Sequence, residues 1–151
     1  ASRLVPVVTR HTHAERVNTA RMRANAVEAA EQCGILSLPD IGDPVPFERV
    51  LATLDPDRVL IFCDEEAAGA SPVELLFGEQ AHSGSLGRMR PLAVIIGPEG
   101  GFAEDERHAM LARPGTIRLP LGPRILRADT AAVAALALIQ AVLGDWRSDD
   151  E

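Results

Sequence analysis

Two cysteines, no lysine and no uninterrupted apolar run longer than nine residues set the first limits on this chain of 151 residues. Cys33 and Cys63 stand apart, with neither a CxxC spacing nor a histidine cluster beside them. No disulfide framework or metal site is therefore expected, and both are read as buried free thiols in a reducing cytoplasm. The longest apolar run, Ala131 to Ile139, is far short of the roughly 20 residues that cross a bilayer. The N-terminus lacks the basic, apolar and small-residue succession of a signal peptide. The expected location is cytoplasmic, with no membrane partner.

Positive charge is scarce overall. The formal net charge is −7, and all 15 basic residues are arginine, which argues against general, non-specific binding to nucleic acid. The distribution is uneven. Arg3, Arg10, Arg16, Arg21 and Arg23 meet only Glu15 in the first 23 residues, with His11 and His13 among them. That stripe is either a solvated helix face or a local phosphate-binding surface, because the planar fork of arginine matches phosphate oxygens. In the second reading Arg10, Arg16 and Arg23 are the RNA-binding candidates.

Hydrophobic periodicity then orders the chain. LVPVV (Leu4–Val8) reads as a strand already under way, so the chain is expected to begin inside a larger protein. Residues Ala14 to Cys33 carry alanine and valine at steps of three and four, the spacing of an amphipathic helix, and Gly34 closes it. Residues Pro39 to Pro46 read as loop and Phe47 to Leu54 as a short helix. Arg58 to Glu65, Leu92 to Gly97 and Thr116 to Leu119 read as strands. Helices are expected near Pro72–Ala81, Glu104–Ala112 and Asp129–Leu143, with a Gly/Ser-rich loop, HSGSLG, after the first and a polar tail over 145–151. Strands alternating with helices predict a mostly parallel sheet sandwiched by helices, a three-layer α/β domain over residues 1–144. The last helix is apolar nearly all round, so either it is enclosed or one face meets a second subunit.

Two loops carry the chemistry. Strand Leu92–Gly97 runs into GPEGG, which lacks the Lys and Ser/Thr of a phosphate loop and the GxGxxG of a dinucleotide fold. Glu99 would repel a pyrophosphate but tolerate a nucleoside or a cation, and two glycines let the backbone close on a ligand. The second loop, LPLGPRILRADTAA, sets Arg124 and Arg127 in an apolar segment before the last helix. Such charges are costly unless they meet anions or carbonyls. Asp129 or Thr130 is a candidate cap for that helix. Both loops leave the carboxyl ends of strands, where open α/β sheets bind ligands.

IGPEGGFAEDE followed by LPLGPRILRADTA resembles the RsmE family, the 16S rRNA uridine-N3 methyltransferases of the SPOUT superfamily. LVPVVTRHT, EAAEQCG and ALIQAVLGD follow the same pattern in order, so the resemblance spans nearly the whole chain. It implies a SPOUT-type fold with a C-terminal trefoil knot, S-adenosylmethionine (AdoMet) as cofactor, a homodimer with its site at the subunit interface, and the small ribosomal subunit as partner. It also implies an N-terminal PUA-like RNA-binding domain that this chain does not carry. Carried over residue by residue, the cofactor contacts are Phe62, then Ile96, Gly97, Pro98, Glu99, Gly100 and Gly101. The third loop adds Leu119, Leu121, Gly122, Ile125 and Leu126. Arg127 or Arg124 would stabilise the uridine anion, and Asp129 or Glu99 would accept its proton or orient an arginine. The chain departs from the family pattern at Ala128 and Asp129, which replace Thr and Glu, at Ala103 in place of a capping Ser, and at Ile35 in place of Arg. The alternatives are a methyltransferase for another RNA atom such as a ribose 2′-hydroxyl, a non-catalytic dimeric RNA-binding module, and, more distantly, a nicotinamide-dependent oxidoreductase.

Overall fold

A computed structural model describes residues 1–13, 16–67, 69–83 and 90–146. It divides into two compact units, Ala1–Thr53 and Leu54–Glu151.

In the first unit, the expected strand Leu4–Val8 is two shorter ones, β1 (Arg3–Leu4) and β2 (Val7–Val8). Pro6 sits between them and has no N–H for a ladder. The segment read as loop, Pro39–Pro46, supplies their partners. β3 (Asp40–Ile41) pairs in parallel with β1, and β4 (Val45–Pro46) in parallel with β2. Helix α1 covers Thr19–Cys33, later than the expected start at Ala14 (Ala14 and Glu15 lie outside the described residues). Asn18 decides where it begins, since its side chain accepts from the Arg21 N–H at 2.9 Å. Gly34 ends it at φ 66°, and its N–H bonds back into the last turn. Helix α2 (Phe47–Thr53) seats Phe47 in the interior.

The stripe of basic residues resolves into different situations. Arg3 pairs with Asp40 at 3.3 Å, and the Arg23 guanidinium donates to the Ile41 carbonyl at 2.8 Å, tying α1 to β3. Arg10 and Arg16 are exposed. Cys33 is exposed rather than buried, because it falls on the last residue of α1; Cys63 is half-buried, and both thiols are free.

The second unit is built on a three-stranded, all-parallel sheet in the order β6 (Leu92–Ile96), β5 (Val59–Cys63), β7 (Thr116–Leu119). Register runs from Val59 opposite Leu92 to Cys63 opposite Ile96, and from Leu60 opposite Thr116 to Cys63 opposite Leu119. The central strand is apolar throughout, as a strand covered on both faces requires. Side chains alternate along it. Val59 and Ile61 join Leu76 of α3 (Pro72–Ser83) and Ile139, Val142 and Leu143 of α5 (Ala128–Leu143) in one core. Phe62 points the other way, beneath Arg107 of α4 (Glu104–Ala112). The result is helix, sheet, helix. The parallel α/β class read from the sequence is therefore present. Residues 84–89, where most of the Gly/Ser-rich loop falls, and 147–151, most of the polar tail, lie outside the described residues.

Helix α5 is not enclosed. Ala131, Ala135, Ile139 and Val142 face the core, while Val133 and Leu136 are exposed on the opposite side. Among the described residues, no helix is long and apolar enough to cross a membrane.

Candidate functional site

All three strands run the same way, so their carboxyl ends gather three loops at one edge of the sheet: 64–66 after β5, 97–103 after β6 and 120–127 after β7. These loops line one cleft. Of the cofactor candidates named from the sequence, Phe62, Ile96, Gly97, Pro98, Glu99, Gly100 and Gly101 line it, as do Leu121, Gly122, Ile125 and Leu126. Leu119 does not; it is fully buried in the core. Of the catalytic candidates, Arg124 and Glu99 line the cleft. Arg127 and Asp129 do not. Their side chains are 82% and 71% exposed and pair with each other at 3.6 Å.

The glycine loop is held by its own backbone. The Gly101 N–H bonds to the Pro98 carbonyl at 2.9 Å, and Gly101 takes φ +67°, a conformation that costs other residues energy. A Cβ there would stand 3.0 Å from Glu65 Oε1, and one on Gly97 would stand 3.0 Å from the Phe102 ring. Gly101→Val adds a β-branched side chain to a left-handed backbone, a strain of about 1–3 kcal/mol. We expect the variant to remain folded and to lose tenfold or more in affinity, by calorimetry, for AdoMet, the cofactor that the family resemblance implies. An affinity within twofold of the parent would reduce the loop to a structural turn.

Helix α4 starts at the other end of this loop. Ala103 stands at its N-cap, and a methyl group accepts no hydrogen bond. The reciprocal contact alone remains, with Glu106 Oε2 accepting from the Ala103 N–H at 2.9 Å. Helix α5 begins at Ala128, one residue before the expected start. Asp129 lies within its first turn, accepting from the Thr130 N–H at 2.7 Å. That bond, a second from the Thr130 hydroxyl at 3.2 Å and the Arg127 charge hold the Asp129 carboxyl below its ordinary range.

The cleft also rests on a group of charges that the sequence reading missed. Asp64, 3% exposed, follows directly on β5. Arg107 of α4 reaches its Oδ1 at 2.5 Å, and Arg118 of β7 bonds its Oδ2. The Glu66 N–H donates to the same carboxylate at 3.1 Å. Burial opposes ionisation of Asp64, but the bonds from Arg118, the Glu66 backbone and Arg107 outweigh it and hold the carboxyl below the usual value. Arg107 also pairs with Glu66 at 2.9 Å and lies 5.9 Å above the centre of the Phe62 ring. Phe62 in turn meets Phe102 edge to face at 5.5 Å. One buried arginine thus ties the loop after β5 to the floor beneath the glycine loop. The charged runs at Asp64–Glu66 and Glu104–Arg107 were the available signal, but nothing local pairs them.

Cys63, on the cleft wall, is kept protonated at neutral pH, because burial pushes its thiol up to about 12. A thiol held neutral is a poor nucleophile. Among the described residues, no group of three or more His, Cys, Asp or Glu side chains is arranged to hold a metal ion.

Comparison with known proteins follows the same lines. A family model described as "RNA methyltransferase domain" matches residues 1–140. The chain is 27% identical over 139 residues to "Ribosomal RNA small subunit methyltransferase E" of Rickettsia conorii, covering 92% of this chain and 53% of the relative. It is 34% identical over 130 residues to the protein of the same name in Mycobacterium bovis, covering 83% and 45%. The chain thus spans about half the length of the curated relatives it matches. Among solved structures, it resembles one from Legionella pneumophila assigned as a methyltransferase in complex with bound cofactor SAM. That match has a TM-score of 0.72 at 26% identity over 93% of this chain and 55% of that one. The strand-end cleft, the glycine loop and a family match running from the first residue to the last helix all agree: this chain belongs to the RNA methyltransferase domain family.

Proposed function

We propose that this chain carries the AdoMet-binding and catalytic part of an enzyme that methylates N3 of a uridine in small-subunit (16S) rRNA. The observation that carries the reading is the cleft: three strand-end loops converge on it in a chain that the RNA methyltransferase domain family covers over residues 1–140. The relatives' names supply the small ribosomal subunit as the partner, and the Legionella complex supplies the cofactor class. The chemistry of the cleft fits that cofactor. It offers glycines, apolar walls and carboxylates, with no lysine and no phosphate cradle, which suits a nucleoside bearing a positive sulfur. We further propose that residues 1–144 act as one SPOUT-type methyltransferase domain with a trefoil knot, working as a cytoplasmic homodimer. Generic topology rules disfavour a knot, so only the family supports it.

AdoMet, when bound, supplies a methyl group on a cationic sulfur. This chain's residues have two other tasks. N3 of uridine is a nucleophile only after losing its proton, and the negative charge then spreads onto the flanking carbonyl oxygens. Arg124, exposed on the cleft lining, is the donor we assign to them; its charge would count for most once bound cofactor and RNA exclude water from the cleft. Glu99 is the cleft carboxylate we assign to accept the proton. Arg127 and Asp129 then support the loop and the start of α5 through their mutual pair. Arg10 and Arg16, exposed in the first unit, remain the RNA-backbone contacts we propose, with Arg23 joining them despite its bond to Ile41.

The dimer rests on α5. Val133 is 70% exposed and Leu136 41%, on a helix whose other side is core. Leu136→Glu should turn a dimer into monomer with the fold intact. Ile139→Glu should instead unfold the unit, because Ile139 is buried. A Leu136→Glu dimer unchanged by sedimentation would remove that face from the interface.

The decisive experiment incubates the full-length protein with AdoMet and 30S subunits and analyses the nucleosides by mass spectrometry. 3-Methyluridine is the expected product. A 2′-O-methyl nucleoside alone would transfer the reaction to ribose, and no methylation with tight RNA binding would leave a binding module.

A further inference from the structure

Four carboxylates and two guanidinium groups line the cleft. Most are accounted for. Asp64 is held by Arg107 and Arg118, Glu66 by Arg107, and the proposed reaction employs Arg124 and Glu99. Glu65 is left. It is exposed, it has no ion-pair partner among the described residues, and it lies across the glycine loop, with Oε1 at 3.0 Å from where a Cβ on Gly101 would stand. Its place is set by its neighbours, because Asp64 and Glu66 on either side are both fastened to Arg107. The loop therefore holds an uncompensated negative charge against the wall that the glycines open to a ligand.

We propose that Glu65 is a specificity-determining residue that reads the charge on the cofactor sulfur, favouring the sulfonium form over the neutral thioether left after methyl transfer. The inference rests on the cofactor reading above. In the reaction the bond from sulfur to the methyl carbon breaks and a bond from N3 to that carbon forms. The electron pair of the broken bond stays on sulfur, and the uridine anion becomes neutral. A carboxylate beside the sulfur would lose its attraction at that moment. Two opposite unit charges a few ångströms apart attract enough, even in water, to change an affinity about fivefold. A carboxylate carried on this loop would thus make the spent cofactor the weaker ligand and favour its release.

Calorimetry on this chain tests the inference without turnover, using AdoMet, S-adenosylhomocysteine and sinefungin, which carries an ammonium in place of the methyl sulfonium. The parent should bind AdoMet and sinefungin more tightly than S-adenosylhomocysteine by about fivefold or more, and the preference should shrink with added salt. Glu65→Gln should bring the three affinities within about twofold of one another, mainly by weakening the two cationic ligands. Gln keeps the size and the surface position, and Glu65→Asp, with its charge retained, should keep the preference. If sinefungin instead follows S-adenosylhomocysteine, the cleft reads the methyl group and the inference fails. It fails equally if Glu65→Gln leaves the parent's preference unchanged, while tight binding of all three ligands would keep the cofactor reading intact. Binding of none of the three by the parent would overturn the cofactor reading itself, and this inference with it.

Discussion

Arg124→Ala in the full-length protein is expected to lower methyl transfer on the order of 10²–10³-fold, the scale for removing one preorganised charge-stabilising donor. AdoMet affinity should stay within a few fold, since glycines and apolar residues make up most of the cleft's lining. Arg124→Lys should restore little, because a point charge does not reproduce the planar fork that meets a carbonyl oxygen. Arg127→Ala provides the contrast. That side chain is 82% exposed and paired with Asp129, an arrangement worth little in stability. Single-turnover rates of the two variants, read beside their cofactor affinities, separate the roles. A hundredfold loss confined to Arg127→Ala would move charge stabilisation to that residue, and parental turnover in Arg124→Ala would remove it from Arg124.

The second large effect is on stability. Asp64→Asn should cost about 3 kcal/mol, because it removes the one buried counter-charge of Arg107 and leaves only the exposed carboxylates of Glu66 and Glu104. The lower end of the usual range applies since the Arg118 side chain is 40% exposed and can turn to water. The dependence on pH has a definite sign. The folded-state carboxyl lies below its ordinary value, so the stabilisation it contributes is fully present above the unfolded-state value near pH 4. It is lost as pH falls through the folded-state value. Denaturant midpoints of parent and Asp64→Asn should therefore differ most at neutral pH and converge in acid. A constant gap from pH 7 to pH 3 would show that shape, rather than charge, accounts for the cost.

How much of this was legible before folding depends on distance along the chain. The strands Val59–Cys63, Leu92–Ile96 and Thr116–Leu119 were readable because each is a local apolar run, and their alternation with helices already implied a parallel sheet. Gly34 and the GPEGG turn were readable for the same reason: a backbone conformation that favours glycine is a local demand. Asn18 as the start of α1 is equally local, since its side chain caps the helix that periodicity alone extends back to Ala14. The two-residue strands at Asp40–Ile41 and Val45–Pro46 were not readable. They are too short to show a period and exist because β1 and β2 are there to pair with.

The site divides in the same way. Sequence alone determined the parallel α/β class, the two loops at strand ends and most of the cleft's lining, because those follow from apolar period, turn chemistry and a family pattern carried in contiguous motifs. Only the tertiary structure decided which charges meet. Asp64 finds Arg107 at a separation of 43 residues and Arg118 at 54, and nothing near any of the three in sequence announces the partner. It also decided that Arg124 lines the cleft while Arg127 turns to Asp129, three positions along one loop that sequence treats alike. Helix α5 shows the limit most plainly. Leu136 and Ile139 are interchangeable in a helix with no polar face to orient it, and only packing against Val59, Ile61 and Leu76 turns one to solvent and the other to the core.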